Sequence, residues 1–385
     1  MTSAPARRIL FIDHAGVLGG AEFSLLDIAT AHATGSEVLL LADGPFRRAL
    51  ESRGLRVSVD PLGAFASVRK ASRLPSVAAA ADVLRVARLV AVRAREFDLI
   101  YANSQKAFVV GALASWMSGR PLIWHLRDIL APPHFSGPAA RAVVWLANRV
   151  AARVIANSAA TSAAFSAAGG RASLVRVVHN GIDRAPFDAV SDAVAVACRA
   201  SLGIAASAPL VVHAGRFHAW KGQQVLLRAL ALEPRAQALF VGAPLFGEEA
   251  FADELKAEAH RLGVATRVQF LGFRDDVPQL MRAATVVVHS STYPEPFGRV
   301  IVEGMLAGRP VIAARAGGVT EIVNDGETGW LVPPNDPGAL ARAIAAVIDD
   351  PAGAASVAAR GAAHARANFS RDAMLRGVAS IIEAL

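Results

Sequence analysis

The chain has 385 residues, one cysteine and a formal net charge of +8. Its length exceeds one ordinary hydrophobic core and implies two domains, and the lone Cys198, read as a packing residue, excludes a disulfide framework and a cysteine-based metal site. The positive excess is confined to the first half, where residues 1–183 hold 21 Lys and Arg against 12 Asp and Glu, while residues 184–385 hold 19 against 20.

The chain opens with Met1 to Arg8 running straight into Ile9-Leu-Phe-Ile12, which is a strand-length run and not the apolar centre of a signal peptide. No apolar stretch reaches membrane-spanning length without charges, so a cytoplasmic protein is expected. The pattern then predicts a strand at 8–13, a helix from about 20, strands at 37–42 and 56–59, a helix at 78–95, a strand at 98–102, a helix at 106–117, a strand at 121–125, a helix at 138–151 and a strand at 153–156. Along the 78–95 helix and just before it, Arg69, Lys70, Arg73, Arg85, Arg88, Arg93 and Arg95 meet only Asp82 and Glu96. Helical spacing brings Arg85, Arg88 and Arg95 to one side. Such a side is either solvated surface or an attraction for anionic lipid head groups or a phosphorylated acceptor. Nucleic acid is not an expected partner, because no binding motif and no interleaved aromatics accompany the charge.

After an alanine-rich stretch at 184–208, read as a linker, a second series begins at Leu210-Val-Val-His-Ala-Gly215. It continues through strands near 238–241, 267–271, 285–289 and 310–314, with a helix between most of them. The alternation predicts two Rossmann-like, doubly wound α/β domains facing across a cleft. Ligands of open α/β sheets bind beyond the carboxyl ends of the strands. Neither half has a dinucleotide glycine fingerprint, and Gly215-Arg-Phe-His-Ala-Trp-Lys-Gly222 lacks the ending of a P-loop.

Within that stretch Arg216 follows the strand and Lys221 precedes the next helix, two cations at a strand-to-helix turn that suit a diphosphate: one forks oxygens, the other is a mobile point charge. Further on, Glu295-Pro-Phe-Gly-Arg-Val-Ile-Val-Glu303 sets two carboxylates with seven residues between them around a glycine turn and a helix start. Glu295 is expected in the loop and Glu303 on the helix. The amides near Phe297, Gly298 and Arg299 would point from the helix N-terminus toward a phosphate. His125 ends a predicted strand, with Arg127 and Asp128 behind it. His14, His179, His213 and His289 show no ligand-like spacing and read as core or loop histidines, so no metal is implied.

These motifs, with Gly19-Gly-Ala-Glu22, His179-Asn-Gly-Ile-Asp183, Phe270-Leu-Gly272 and Gly317-Gly318 with Glu321, occur in an order that resembles glycosyltransferase family 4, whose members are retaining enzymes of the GT-B fold. The resemblance covers nearly the whole chain and is most specific in the second half. It implies an acceptor-binding domain over 1–183, a linker over 184–208, a nucleotide-sugar-binding domain over 209–370 and a final helix over 371–385 returning to the first domain. Arg216 and Lys221 would hold the donor diphosphate, Glu295 would contact the sugar hydroxyls and Glu303 the ribose. Gly215 and the amides of Phe297, Gly298, Arg299 and Val300 would line the same site, and Gly272, Phe273 and Arg274 would meet the base. Gly19 and Gly20 would serve the phosphate and acceptor side, and His125 would reach the reacting sugar. Arg299 departs from the family, where this position is apolar or small; it would add charge near the diphosphate or pair with Glu303.

The implied activity is that of a metal-independent, retaining hexosyltransferase with no cofactor, moving a sugar from a nucleoside diphosphate, by family frequency UDP, to an acceptor hydroxyl. The basic first half favours a lipid-linked or phosphorylated glycan acceptor in cell-envelope or exopolysaccharide assembly, with peripheral contact at the inner membrane face. Glycosylation of a secondary metabolite, a GT-B sugar-nucleotide epimerase, a glycan phosphorylase, for whose lysine-bound cofactor there is no signature, and a non-catalytic nucleotide-sugar-binding module are the alternatives.

Overall fold

A computed structural model describes residues 7–67, 76–244 and 248–385; Arg69, Lys70 and Arg73 of the basic stretch lie outside these. Two compact units are formed, one from Met1–Gly181 with Arg371–Leu385 and the other from Ile182–Ser370.

The first unit is built on β1 (Ile9–Asp13), β2 (Glu37–Leu40), β3 (Arg56–Val59), β4 (Leu99–Ala102), β5 (Leu122–Leu126), β6 (Ala151–Ala156) and β7 (Val175–Val177). They lie in the order β3-β2-β1-β4-β5-β6-β7, with every neighbouring pair parallel. A parallel sheet is covered on both faces, so its strands need apolar residues in both directions. β1 meets that demand: Leu10 and Ile12 enter one core, and Ile9 and Phe11 the other. The helix Val77–Ala94 starts where the Ser76 hydroxyl accepts from the Ala79 amide at 3.1 Å, and buries Val83, Val86, Ala87 and Val90. The last helix, Arg371–Glu383, packs Met374, Val378 and Ile382 into the core that holds Ile9 and Phe11. The basic stretch is less bare than its composition suggests. Arg85 pairs with Asp60 at 3.3 Å and Asp82 at 2.9 Å, and Arg93 with Glu37 at 3.0 Å.

The second unit contains β8 (Leu210–Ala214), β9 (Gln237–Val241), β10 (Val268–Gly272), β11 (Val286–His289), β12 (Val311–Ala314) and β13 (Trp330–Val332). The order is β10-β9-β8-β11-β12-β13, again all parallel. The stretch 184–208 is not an extended linker. It forms the helices Ala185–Asp188 and Asp192–Ser201, which belong to this unit. Ile182, Phe187, Ala195 and Ile204 enter its core, and burial of each of the three large side chains among them contributes up to about 1.5–3 kcal/mol. Alanine-rich composition hid a helix whose apolar contacts are few and spaced.

Both sheets reverse direction at one place. In the first unit that switch point lies between β1 and β4, and in the second between β8 and β11. At the carboxyl edge there, the connections leave on opposite faces and open a crevice.

Candidate functional site

In the second unit the loops at this edge carry the two cations and the first glutamate. After β8 the chain passes Gly215 and Arg216 into a tight turn at Ala219–Lys221, capped by His218, whose ring accepts from the Trp220 amide at 3.2 Å. Gly222 then turns the backbone at φ +74° into the helix Gln223–Leu232. A Cβ on Gly222 would lie 1.8 Å from the Ser290 carbonyl oxygen, so only glycine lets this turn rest against the segment following β11. The Ser290 hydroxyl donates to the Gly222 carbonyl at 2.8 Å, and the Thr292 amide to that of Trp220 at 2.8 Å. The turn bearing Lys221 and the loop bearing Glu295 are thereby joined.

Glu295 is 8% exposed. Its Oε2 accepts from Lys221 Nζ at 2.7 Å, from Ser291 Oγ at 3.0 Å and lies 3.1 Å from His289 Nε2. Burial acts to raise this carboxyl, but the Lys221 charge and the His289 contact more than offset it and hold it well below the usual carboxylate range. Lys221 Nζ also stands 4.0 Å from the centroid of the Trp220 ring, within cation–π range. Gly317-Gly318 explains itself here. A Cβ on Gly317 would fall 2.2 Å from the Glu295 carbonyl oxygen, and the Gly318 amide donates to that oxygen at 2.8 Å.

Gly298, at φ +108° and with no side-chain cap, starts the helix Arg299–Leu306. Glu303 lies on that helix and Glu295 in the loop, as the sequence suggests. The side chain of Phe297 is core, 5.7 Å from the Phe369 ring between centroids, so only its backbone faces the loop. Arg299 Nη2 stands 3.6 Å from Glu303 Oε1; burial raises the Glu303 carboxyl, with Arg299 opposing in part. Phe273, beyond Gly272, is 64% exposed, whereas Arg274 is clamped to Asp276 by two bonds of 2.6 and 2.7 Å.

In the first unit the corresponding edge holds a buried polar network. Asp13 closes β1 and accepts from Asn103 Nδ2 at 2.6 Å, beyond β4. Asn103 Oδ1 accepts from Arg127 Nη2 at 2.8 Å, and Arg127 Nη1 donates to Asn180 Oδ1 at 2.6 Å. Asn180 of the His179–Asp183 motif is thus a clasp between strand ends. Gly19 caps the helix Gly20–Ala31, and its amide donates to Glu22 Oε2 at 2.9 Å. His125, fully buried in β5, bonds through Nδ1 to the Tyr101 hydroxyl, and its Nε2 has no partner among the described residues. Burial, with Arg127 adding to it, pushes the imidazole well below its ordinary range, so the ring is neutral.

Burial and the Asp13 charge push Glu22 up from 4.5 to about 7. A raised carboxyl contributes stability that is complete below the unfolded value and is lost as pH rises through the folded one. Unfolding of wild type and Glu22→Gln across pH 4.5 to 7 should therefore show wild-type stability falling relative to the variant. Parallel curves would contradict this.

Sequence reasoning placed His289 among core or loop histidines and did not single out Ser291, yet both touch Glu295. The available signal was position: His289 ends a strand at the carboxyl edge of the sheet, as His125 does. Among the described residues, no group of three or more His, Cys, Asp or Glu is arranged to hold a metal ion, and no helix is long and apolar enough to cross a membrane.

Two doubly wound units, one with a cation–carboxylate cluster at its switch point, define the GT-B class of fold. The Glycosyl transferases group 1 family model matches residues 197–364 and the Glycosyl transferase 4-like domain matches residues 19–181. The crystal structure of Anabaena Alr3699/HepE in complex with UDP and glucose is 43% identical, covers 98% of this chain and 100% of its own, and superposes with a TM-score of 0.90. The D-inositol 3-phosphate glycosyltransferase of Mycolicibacterium vanbaalenii is 40% identical over 215 residues, which is 53% of this chain and 47% of the relative. That of Streptomyces avermitilis is 33% identical over 311 residues, 75% of this chain and 65% of the relative. The chain thus spans 47% and 65% of the lengths of these two curated relatives. The chain belongs to the glycosyl transferases group 1 family.

Proposed function

We propose that the protein is a retaining hexosyltransferase that moves a sugar from a UDP-sugar to an acceptor hydroxyl of a lipid-linked or cell-envelope glycan, without a metal or cofactor. The observation that carries this reading is the convergence of Lys221 and Glu295 at the switch point, supported by the 43%-identical neighbour whose structure holds UDP and glucose. Arg216 and Lys221 take the diphosphate and stabilise the charge that develops on it as the bond from C1 to the phosphate oxygen breaks. Glu295 accepts from sugar hydroxyls, and Glu303 from the ribose. The backbone of Gly215 and of Phe297, Gly298, Arg299 and Val300 lines the phosphates and sugar. The exposed Phe273, with Gly272 and Arg274, takes the base; a stacked aromatic contributes about 1–3 kcal/mol in related recognition.

The first unit supplies Gly19 and Gly20 on the acceptor side and His125 to the reacting sugar. With Nδ1 engaged by the Tyr101 hydroxyl, Nε2 is the ring atom left to meet a sugar hydroxyl. The acceptor oxygen bonds to C1 on the face the phosphate leaves, and its proton passes to the departing phosphate. No enzyme nucleophile is required, and the enzyme contributes positioning and charge.

The test is transfer from UDP-glucose in EDTA to a panel containing a lipid-linked glycan and D-inositol 3-phosphate, with the product anomer read by NMR. An α-linked product on the lipid-linked acceptor is expected. A β-linked product contradicts retention, an absolute divalent-metal requirement contradicts metal independence, and transfer only to the small phosphate removes the lipid-linked acceptor.

We assign the protein to the cytoplasm, with peripheral contact to anionic membrane through the first unit, where Leu84, Leu89 and Val92 are exposed on the helix carrying Arg88, and Trp116 is 80% exposed on the helix Gln105–Ser118 packed against it. Sedimentation with phosphatidylglycerol vesicles should exceed that with phosphatidylcholine, and Trp116→Ala should weaken it several-fold. Equal sedimentation with both removes the membrane contact.

A further inference from the structure

Three donors converge on one oxygen of Glu295, and they differ in how firmly the fold holds them. Lys221 reaches Oε2 at 2.7 Å from the end of a flexible four-carbon stem. His289 and Ser291 reach it from the end of β11 and the residues just beyond, and they are 7% and 1% exposed. His289 Nε2 lies 3.1 Å from Oε2, Ser291 Oγ lies 3.0 Å from Oε2, and the two donors are themselves 3.0 Å apart. Oε2, Nε2 and Oγ form a closed triangle. His289 Nδ1 is buried with no partner among the described residues, so Nε2 is the nitrogen through which the ring serves Glu295. The Ser290 hydroxyl, bonded to the Gly222 carbonyl at 2.8 Å, holds the intervening backbone.

In the donor reading, Lys221 has a second partner, the diphosphate. A buried carboxylate that loses its cation and has no other donors is strongly disfavoured and free to rotate. We infer that His289 and Ser291 are positioning residues for the sugar-contacting carboxylate: they keep Oε2 ionised and oriented while Lys221 turns to the diphosphate. This rests on the donor-site reading above and adds to it that sugar recognition depends on two residues beneath the glutamate. Diphosphate recognition does not depend on them.

The experiment compares wild type, His289→Ala, His289→Gln and Ser291→Ala by calorimetry with UDP and with UDP-glucose. Each alanine variant should bind UDP within about twofold of wild type, which also shows that the unit is folded. The affinity for UDP-glucose relative to UDP should fall about tenfold, the scale of a lost hydrogen bond to a charged group. His289→Gln, which restores an N–H near the Nε2 position, should recover most of that ratio. A ratio unchanged in both alanine variants, an equal loss for both ligands, or a glutamine variant as impaired as the alanine overturns the inference and leaves the donor site standing. A wild type that binds neither ligand overturns the donor site and the inference together.

Discussion

Replacing Lys221 with alanine is expected to lower sugar transfer by about 100- to 1,000-fold, the scale seen when a preorganised group facing developing charge is removed. The ammonium stands 2.7 Å from Glu295 and is the mobile cation of the turn after β8. Its loss has a second consequence. Glu295, 8% exposed, keeps its charge with only His289 and Ser291 as donors, so the variant should also be less stable. Adding Glu295→Gln to Lys221→Ala removes the uncompensated charge. The thermal midpoint should then recover while transfer stays low. A double variant that stays as unstable as the single one would show that the pair is not what couples this turn to this loop.

The second large effect is on the backbone. Gly222→Ala combines φ +74° with a Cβ placed 1.8 Å from the Ser290 carbonyl oxygen, and backbone has no rotamer with which to give way. A loss of about 3 kcal/mol or more in urea unfolding of the second unit is expected, because the Lys221 turn must lift from the loop after β11. Gly263→Ala is the internal comparison: the same unit, φ +69°, and nothing within 4 Å of the added carbon. There only the left-handed strain remains, about 1–2 kcal/mol. Equal losses at the two positions would mean that the contact at Ser290 is relieved without cost.

The strands that cross the middle of each sheet were legible because their apolar runs are continuous: β1, β4 and β5, and β8 and β11, are buried nearly throughout. The edge strands β7 and β13 were not. Each has three residues, and Arg176 and Val177 of β7 are exposed, so little apolar signal marks them. The helix Pro45–Ser52 was missed because only Phe46 and Leu50 of its eight residues are buried. At the site, Arg216, Lys221, Glu295 and Glu303 stood out as charged residues at turn and helix boundaries. The sequence did not reveal that Lys221 and Glu295 bond to each other, since 74 positions separate them and only the order β8-β11 brings their loops together. For the same reason His289 and Ser291 passed as ordinary residues, and the clasp from Asn180 through Arg127 and Asn103 to Asp13 could not be read from motifs lying far apart.

The second unit is expected to bind a nucleoside diphosphate through Lys221 without a metal, and the decisive measurement is thermal unfolding with UDP, GDP, ADP and TDP in EDTA, on wild type and Lys221→Ala. A ligand at 100 times its dissociation constant stabilises by about 2.7 kcal/mol. UDP should raise the wild-type midpoint more than the other three, and that rise should largely vanish in the variant. No rise with any nucleotide, or an equal rise in both proteins, would contradict a diphosphate held by Lys221.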